Sequence, residues 1–310
     1  MQDGMITQNI IITESSKNLR ALGRNALNSK WKVSIIAVCI YLICMQLPPL
    51  IFDSLFGVNM GNMFIPGGNT YGMDAEVYIQ LYNNLPEYSM LSAIYVILVA
   101  GALELGITLF FLASFRNYET KETDIFLGFE RFGKALGLML FRSLFIFLWS
   151  CLFLIPGIIA AIRYSQAFFV LADDPGKGIR ECMNESKAMM KGNKGKYFIL
   201  SLSFIGWLFL AVLPSGIVQS IGTIISTNDF VIGIFALIGG LFVAPVTAYM
   251  YSTFAGFYEI LAGHLIKDTT PVSVTPEEAV QLEEAITLTE DSIDPEDSGD
   301  DNAEEKQKDE

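Results

Sequence analysis

The sequence predicts an all-α fold: a polytopic membrane helix bundle of about six transmembrane helices, with amphipathic surface helices and a disordered acidic C-terminal tail. Three observations predict it. Apolar runs of roughly 18 to 25 residues recur along the chain, the length that crosses a hydrocarbon core of about 30 Å at 1.5 Å per residue. Lysine and arginine outside those runs fall only in alternate connections. The charge is segregated as well. From Asp268 to Glu310 sixteen acidic residues stand against Lys306 and Lys308, whereas the preceding 267 residues carry eighteen basic and seventeen acidic side chains. The net charge of −13 therefore belongs to the tail. A composition that is 52% hydrophobic would only be suggestive; its concentration into runs decides the class.

The runs place six spans at about 33–52, 90–113, 135–155, 158–172, 197–218 and 231–262. The chain then divides into an N-terminal amphipathic segment (1–32), a six-span membrane domain (33–265) and an acidic tail (266–310). Spans three and four are one apolar block, "LFRSLFIFLWSCLFLIPGIIAAIRYSQAFFV" at its centre, about twice the membrane thickness. It must fold back on itself. Pro156 cannot continue a helix and Gly157 accepts a positive φ, so Pro156-Gly157 is the expected tip of a helical hairpin. Pro245 predicts a kink in the long sixth span.

Orientation follows from the cations. The segment before span one carries Lys17, Arg20, Arg24, Lys30 and Lys32, while the connection 53–89 carries none. Arg116, Lys121, Arg131 and Lys134 precede span three, six basic residues lie between spans four and five, and the connection 219–230 again has none. The positive-inside rule puts both termini in the cytoplasm of a multi-pass plasma-membrane protein. The chain has no signal-peptide pattern, since the first apolar run starts only near Val33.

The surface pieces have patterns of their own. "SSKNLRALGRNALNSKW" (15–31) gathers Leu19, Leu22, Ala26 and Leu27 on one helical face. That suits a helix on the inner leaflet, with Lys17, Arg20 and Arg24 toward anionic headgroups. Between spans four and five, Asp174 and Pro175 read as a helix N-cap and first position, and Gly192 as a stop. Lys187, Lys191, Lys194 and Lys196 follow on that segment as further candidate lipid-phosphate contacts. In the tail, Thr275-Pro276-Glu277-Glu278 resembles a capping box before a short helix. Beyond it the chain is too polar to bury a core.

Three ionisable residues lie inside the spans: Glu104, Arg142 and Arg163. Each costs at least ~2.5–3.5 kcal/mol near the bilayer centre unless paired, hydrated or able to reach the interface. Counted from the basic end of each span, their depths agree at roughly 12–18 Å. The expectation is that Glu104 faces the interior and pairs with Arg163 or Arg142. Such a pair could orient helices only, or mark a ligand or ion pathway.

Catalytic chemistry finds little footing. His264, the only histidine, lies past the last span, which excludes a zinc HExxH helix and an intramembrane Ser-His dyad. Aspartate is absent from the spans, and "GNKGKY" lacks the spacing of a phosphate loop. The four cysteines form no CxxC pair. No cofactor and no metal are expected. The expected partners are the bilayer, anionic lipids of the inner leaflet and a basic protein for the acidic tail, with no nucleic acid.

"GALELGITLFFL" (101–112), the block 126–175 with its Leu-Ile-Pro-Gly-Ile, "ECMNESKAMMKGNKGKYFILSLSFIGWLFL" (181–210) and "YMYSTFAGFYEIL" (249–261) resemble successive blocks of an uncharacterised family of bacterial integral membrane proteins. That family is a domain of unknown function, distantly similar to the membrane domain of some glycerophosphodiester phosphodiesterases. The resemblance spans about 15–265 and implies a bacterial plasma-membrane protein of about six spans with no assigned activity. The expected function is a non-enzymatic scaffold, assembly or envelope-stress module. Two alternatives stand beside it: a transporter or lipid-handling protein using the Glu104/Arg site, and a membrane enzyme acting on lipid headgroups. A bundle interior that is dry, or open at the depth of Glu104, separates the first from the second.

Overall fold

The computed structural model describes residues 10–59 and 87–265. The acidic tail with its expected short helix, and most of the loop 53–89, lie outside the described residues. Six helical stretches are long and apolar enough to cross a membrane: Trp31–Phe56, Met90–Phe115, Glu122–Leu152, Leu154–Asp173, Lys194–Ile225 and Asp229–Leu261. The chain is a multi-pass membrane protein built as a helical bundle.

Helix α1 (Ser16–Ala26) is capped by Ser15, whose side chain accepts from the Asn18 N–H. Helix α2 (Trp31–Phe56) follows and contains Pro48 and Pro49. Pro48 removes the N–H that would reach the Cys44 carbonyl. The Tyr95 hydroxyl donates to that carbonyl instead, at 2.7 Å, and so satisfies the acceptor that Pro48 leaves open. At the far end of α2, a two-residue antiparallel bridge joins β1 (Val58–Asn59) to β2 (Glu87–Tyr88). Asp53 closes the same point, its Oδ1 accepting from the Ser89 N–H and the Ser92 hydroxyl, each at 2.6 Å.

Helix α3 (Met90–Phe115) is the central helix, buried almost without interruption from Gly101 to Ser114. A 3-10 segment (Glu122–Arg131) lies against it, backbone to backbone. A β-carbon on Gly106 would run into the Ile125 carbonyl, and one on Gly128 into the Ala102 carbonyl. Only glycine lets these two backbones touch.

Helices α4 (Phe132–Leu152) and α5 (Leu154–Arg163) form the expected hairpin, with a displaced tip. The break falls at Phe153, in extended conformation (φ −162°, ψ 154°), and not at Pro156-Gly157. Pro156 is the third residue of α5, where its missing N–H has no partner to lose. Gly157 serves close approach rather than a turn, because a β-carbon there would collide with Ser150 across the hairpin.

Helix α6 (Ala167–Asp173) continues α5 after an interruption at 164–166 that α7 (Ile179–Met189) stitches. The Ser186 hydroxyl donates to the Arg163 carbonyl at 2.9 Å and accepts from the Gln166 N–H at 3.2 Å. The start of α7 differs from expectation. Lys134 Nζ holds the carbonyls of Pro175, Gly176 and Lys177, keeping that stretch a loop. Asp174 accepts from the Gly176 N–H in a turn, and Gly178 with Glu181 caps the helix. Gly192 does end this segment, at φ +89°.

Span five comprises α8 (Lys194–Leu202) and α9 (Ile205–Ile225), and span six α10 (Asp229–Gly240) and α11 (Ala244–Leu261). The sixth span breaks at Leu241–Val243, just ahead of Pro245, which sits in the first turn of α11. Burial is uneven across the bundle. Leucine, isoleucine and phenylalanine of α4 and α9 are widely exposed, as lipid-facing surfaces must be. The ends of α3 and α11 near Arg116 and Leu261 are instead packed under α1, α6 and α7. We refer to this as the basic side, since the cations of the N-terminal segment and of the second and fourth connections belong to it.

Helix α1 is part of that packed layer. Its apolar face turns onto α11 and not onto lipid: Leu19 and Leu27 are buried, and Gly23 lies against Thr253. The Ser252 hydroxyl donates to the Gly23 carbonyl and the Tyr249 hydroxyl to that of Arg20.

Two outcomes test this packing. Gly106→Ala is expected to cost about 2–3 kcal/mol through overpacking against the Ile125 backbone. Gly216→Ala, whose new β-carbon meets nothing, is expected to be neutral or to gain up to about 1 kcal/mol, both read by thermal unfolding in detergent. Cys182 in α7 is fully buried, and burial, reinforced by Glu185, pushes its thiol up to about 11. It should therefore resist maleimide at pH 8 in the folded protein and react once the protein is denatured.

Candidate functional site

Glu104 is the fifteenth residue of α3, eleven residues and about 17 Å from Phe115 at the basic end. Arg142 is central in α4. The two side chains meet in a two-pronged ion pair, Nη1 to Oε1 and Nη2 to Oε2, each at 2.8 Å. Arg142 also stacks over Phe168 of α6, its guanidinium carbon 4.8 Å from the ring centroid. A planar fork suits this geometry, matching the carboxylate on one edge while presenting its face to the ring.

The pair is not sealed. Arg142 and Glu104 keep 20% and 25% of their side-chain surface exposed, on the wall of a cavity of about 490 Å³. Phe168, Phe169, Tyr197, Tyr251 and Phe254 supply much of the remaining wall, with Ser165, Thr108 and Thr247 as scattered polar points. Exposed Ala161 of α5 and half-buried Leu208 of α9 stand at its rim, so the cavity opens between the hairpin and span five. Mostly aromatic walls and a few convergent polar groups are the usual make-up of a ligand site of this size.

Arg163 stands apart. It ends α5, where a cation complements the helix dipole, and among the described residues its guanidinium has no ion-pair partner. Depth counting could not separate it from Arg142, because depth says nothing about direction around a helix. The Pro156-Gly157 step likewise lies away from the cavity.

The candidate lipid contacts divide into two groups. Arg20 Nη1 donates to the Ser203 carbonyl at 3.0 Å, covering an acceptor left open where span five bends. Lys196 Nζ donates to the carbonyls of Glu14 (2.8 Å) and Thr13 (3.3 Å). These two cations tie distant segments of the protein together. Lys17, Arg24 and Lys187 are exposed, and Lys194 is half-buried.

Sequence reasoning missed a second charged cluster at the basic side. Asp173 ends α6 and Glu259 lies in the last turn of α11, both at helix ends where the dipole opposes a negative charge. Arg116 bridges them, Nε to Glu259 at 2.7 Å and Nη2 to Asp173 at 2.6 Å. Burial alone would lower the Arg116 pKa, but the two carboxylates outweigh it and hold the guanidinium more firmly charged than usual. Glu259 is only 3% exposed and also touches His264 Nδ1 at 3.0 Å, while the Tyr258 hydroxyl donates to Asp173 at 2.9 Å. Lys177 and Glu185 form a further pair at 2.7 Å on a neighbouring cavity of about 290 Å³. The available signal was an acidic residue at the basic end of two spans opposite an arginine at the end of a third. Among the described residues no group of three or more His, Cys, Asp or Glu is placed to hold a metal ion.

Residues 152–263 match a family described as a protein of unknown function, DUF975. The matched region runs from the hairpin tip through α11. It contributes Phe168, Tyr197 and Tyr251 to the cavity wall, and Asp173 and Glu259 to the basic-side cluster. Glu104, Arg142 and Arg116, which complete the two ion-pair systems, precede it. The match is shorter than the resemblance over 15–265. No curated protein and no solved structure matches the chain, so no named relative supports a likeness to phosphodiesterase membrane domains.

Glu104→Gln and Arg142→Gln are each expected to destabilise the protein, because either leaves a charge without its partner at this depth. Their double-mutant cycle in detergent unfolding should give a coupling of about 1–3 kcal/mol. Additive losses would mean the pair contributes nothing as a pair.

Proposed function

We propose that this membrane protein takes an amphiphilic ligand into the cavity beside Glu104 and Arg142, as a lipid-handling or transport protein, rather than acting as a scaffold alone. One observation carries the reading: a two-pronged ion pair within the bundle stands on the wall of a half-open cavity of about 490 Å³. A pair that only oriented helices would gain most from being packed dry, since a low dielectric strengthens it. Here part of its surface faces open space flanked by aromatic side chains.

The pair is neutral as a unit, which limits the ligand. A net charge would gain from one member and be repelled by the other. A headgroup carrying both an ammonium and an anionic oxygen can exchange partners with it, the ammonium on Glu104 and the anion on Arg142. The aromatic wall suits the apolar part of the same molecule. The rim between α5 and α9 offers lateral access from the bilayer. The acidic tail suits a second role, docking a basic partner, which its sixteen carboxylates against two lysines favour.

The test is mass spectrometry of the intact protein released from mild detergent, followed by lipid extraction. The wild-type protein is expected to retain a zwitterionic amphiphile, and Glu104→Gln and Arg142→Gln to retain several-fold less while still unfolding cooperatively. A wild-type protein that carries no amphiphile, and whose Thr247→Cys variant resists a membrane-permeant maleimide, would leave the scaffold reading in place.

A further inference from the structure

A second cavity, of about 500 Å³, lies on the opposite flank of α11 and shares no lining residue with the first. Its walls come from Trp31 at the start of α2, Trp207 and Pro214 of α9, Phe242 in the break of span six, and Tyr249 of α11, with Arg24 of α1 at one end. Trp31 and Trp207 pack against Tyr249 from two sides, at centroid distances of 6.2 and 6.4 Å. Trp207 nevertheless remains 49% exposed.

The position of these residues relative to the bilayer is informative. Helix α2 runs 26 residues from Trp31, about 39 Å and longer than the hydrocarbon core, so Trp31 falls at a boundary. Tryptophan is favoured there, and Arg24 lies beyond it on the headgroup side. From Trp207 the groove follows α9 toward Pro214, seven residues and about 10 Å deeper. It is an apolar track running into the membrane from a cation at its mouth.

Among the described residues, no aspartate or glutamate lines the groove to offset the charge at that mouth. Arg20, one turn away, is committed to the Ser203 carbonyl, whereas Arg24 is exposed and its guanidinium makes no ion pair among the described residues. A purely apolar guest would have no use for Arg24, and a soluble anion none for the track. We propose that this groove binds an anionic phospholipid of the leaflet on the basic side, with its phosphate on Arg24 and an acyl chain along Trp31, Trp207 and Phe242. The site is independent of the Glu104–Arg142 cavity and stands whether or not that cavity takes a ligand.

The tryptophans make the test direct, because the chain has three and the third, Trp149, lies in the α4–α5 hairpin. The full chain carrying Trp149→Phe is reconstituted in phosphatidylcholine vesicles containing a fixed fraction of either dibrominated phosphatidylglycerol or dibrominated phosphatidylcholine. Stronger quenching by the anionic lipid is expected. Arg24→Gln should reduce its relative affinity about five-fold, as expected for one cation near an anionic surface. Lys17→Gln, exposed on the same helix but outside the groove, should leave it unchanged. Equal quenching by the two lipids, or a preference that survives Arg24→Gln, overturns the proposal and leaves only ordinary boundary lipid.

Discussion

An ionised carboxylate at the depth of Glu104 is costly unless it is answered, and here Arg142 answers it. The pairing brings α4 against α3 with a defined rotation, because a two-pronged pair at 2.8 Å tolerates little slippage. With α4 fixed, the hairpin carries α5 and α6 round so that Phe168 lies beneath the guanidinium. The cavity is the space left between this charge-fixed unit and spans five and six. Interior polar chemistry and bundle geometry are one constraint here, since in hydrocarbon an unpaired charge costs more than a misplaced methyl group.

The basic side obeys the same rule with different partners. The bends and helix ends that a short, interrupted set of spans creates leave carbonyls without donors. Lys30 Nζ reaches the Ser114 carbonyl at 2.8 Å, Lys134 holds the 175–177 loop, Arg20 covers Ser203 and Lys196 ties the N-terminal strand of chain. Burial lowers the pKa of Lys30, a cost that the capped α3 terminus offsets. Cations that a topology rule counts only as charge thus serve as backbone caps. Arg116 goes further and joins the ends of α3, α6 and α11 through Asp173 and Glu259. Two ion-pair systems, one within the bundle and one near its edge, therefore clamp α3 to its neighbours at different heights.

Much of this was legible in advance. Each of the six helical stretches contains an apolar run recognisable by length, and the fold-back of the third and fourth was forced by a block twice the membrane thickness. Glu104 and an arginine partner followed from the cost of charge in lipid. What stayed hidden was directional. Arg142 and Arg163 stood at similar depths, and only the packing of α4 on α3 brings one of them to Glu104. Pro156-Gly157 read as a turn because proline and glycine favour one, yet Phe153 takes the extended conformation and Gly157 instead permits contact with Ser150. The apolar face of α1 is real, but a hydrophobic stripe does not say whether lipid or protein will cover it; Thr253 and Leu261 do.

By itself, then, the sequence determined a multi-span helical membrane protein, six stretches long and apolar enough to cross, and the need to neutralise its interior charges. These depend on run length, on charge counts and on the solvation cost of single residues, all of which are local quantities. Only the tertiary structure decided which arginine answers Glu104, that Arg116 gathers two carboxylates from distant spans, and that cavities open on opposite flanks of α11. Those depend on the rotation of helices about their own axes. That rotation is set by contacts between distant residues, the Glu104–Arg142 pair and the close approach of Gly106 to Ile125 among them, which no periodicity along the chain encodes.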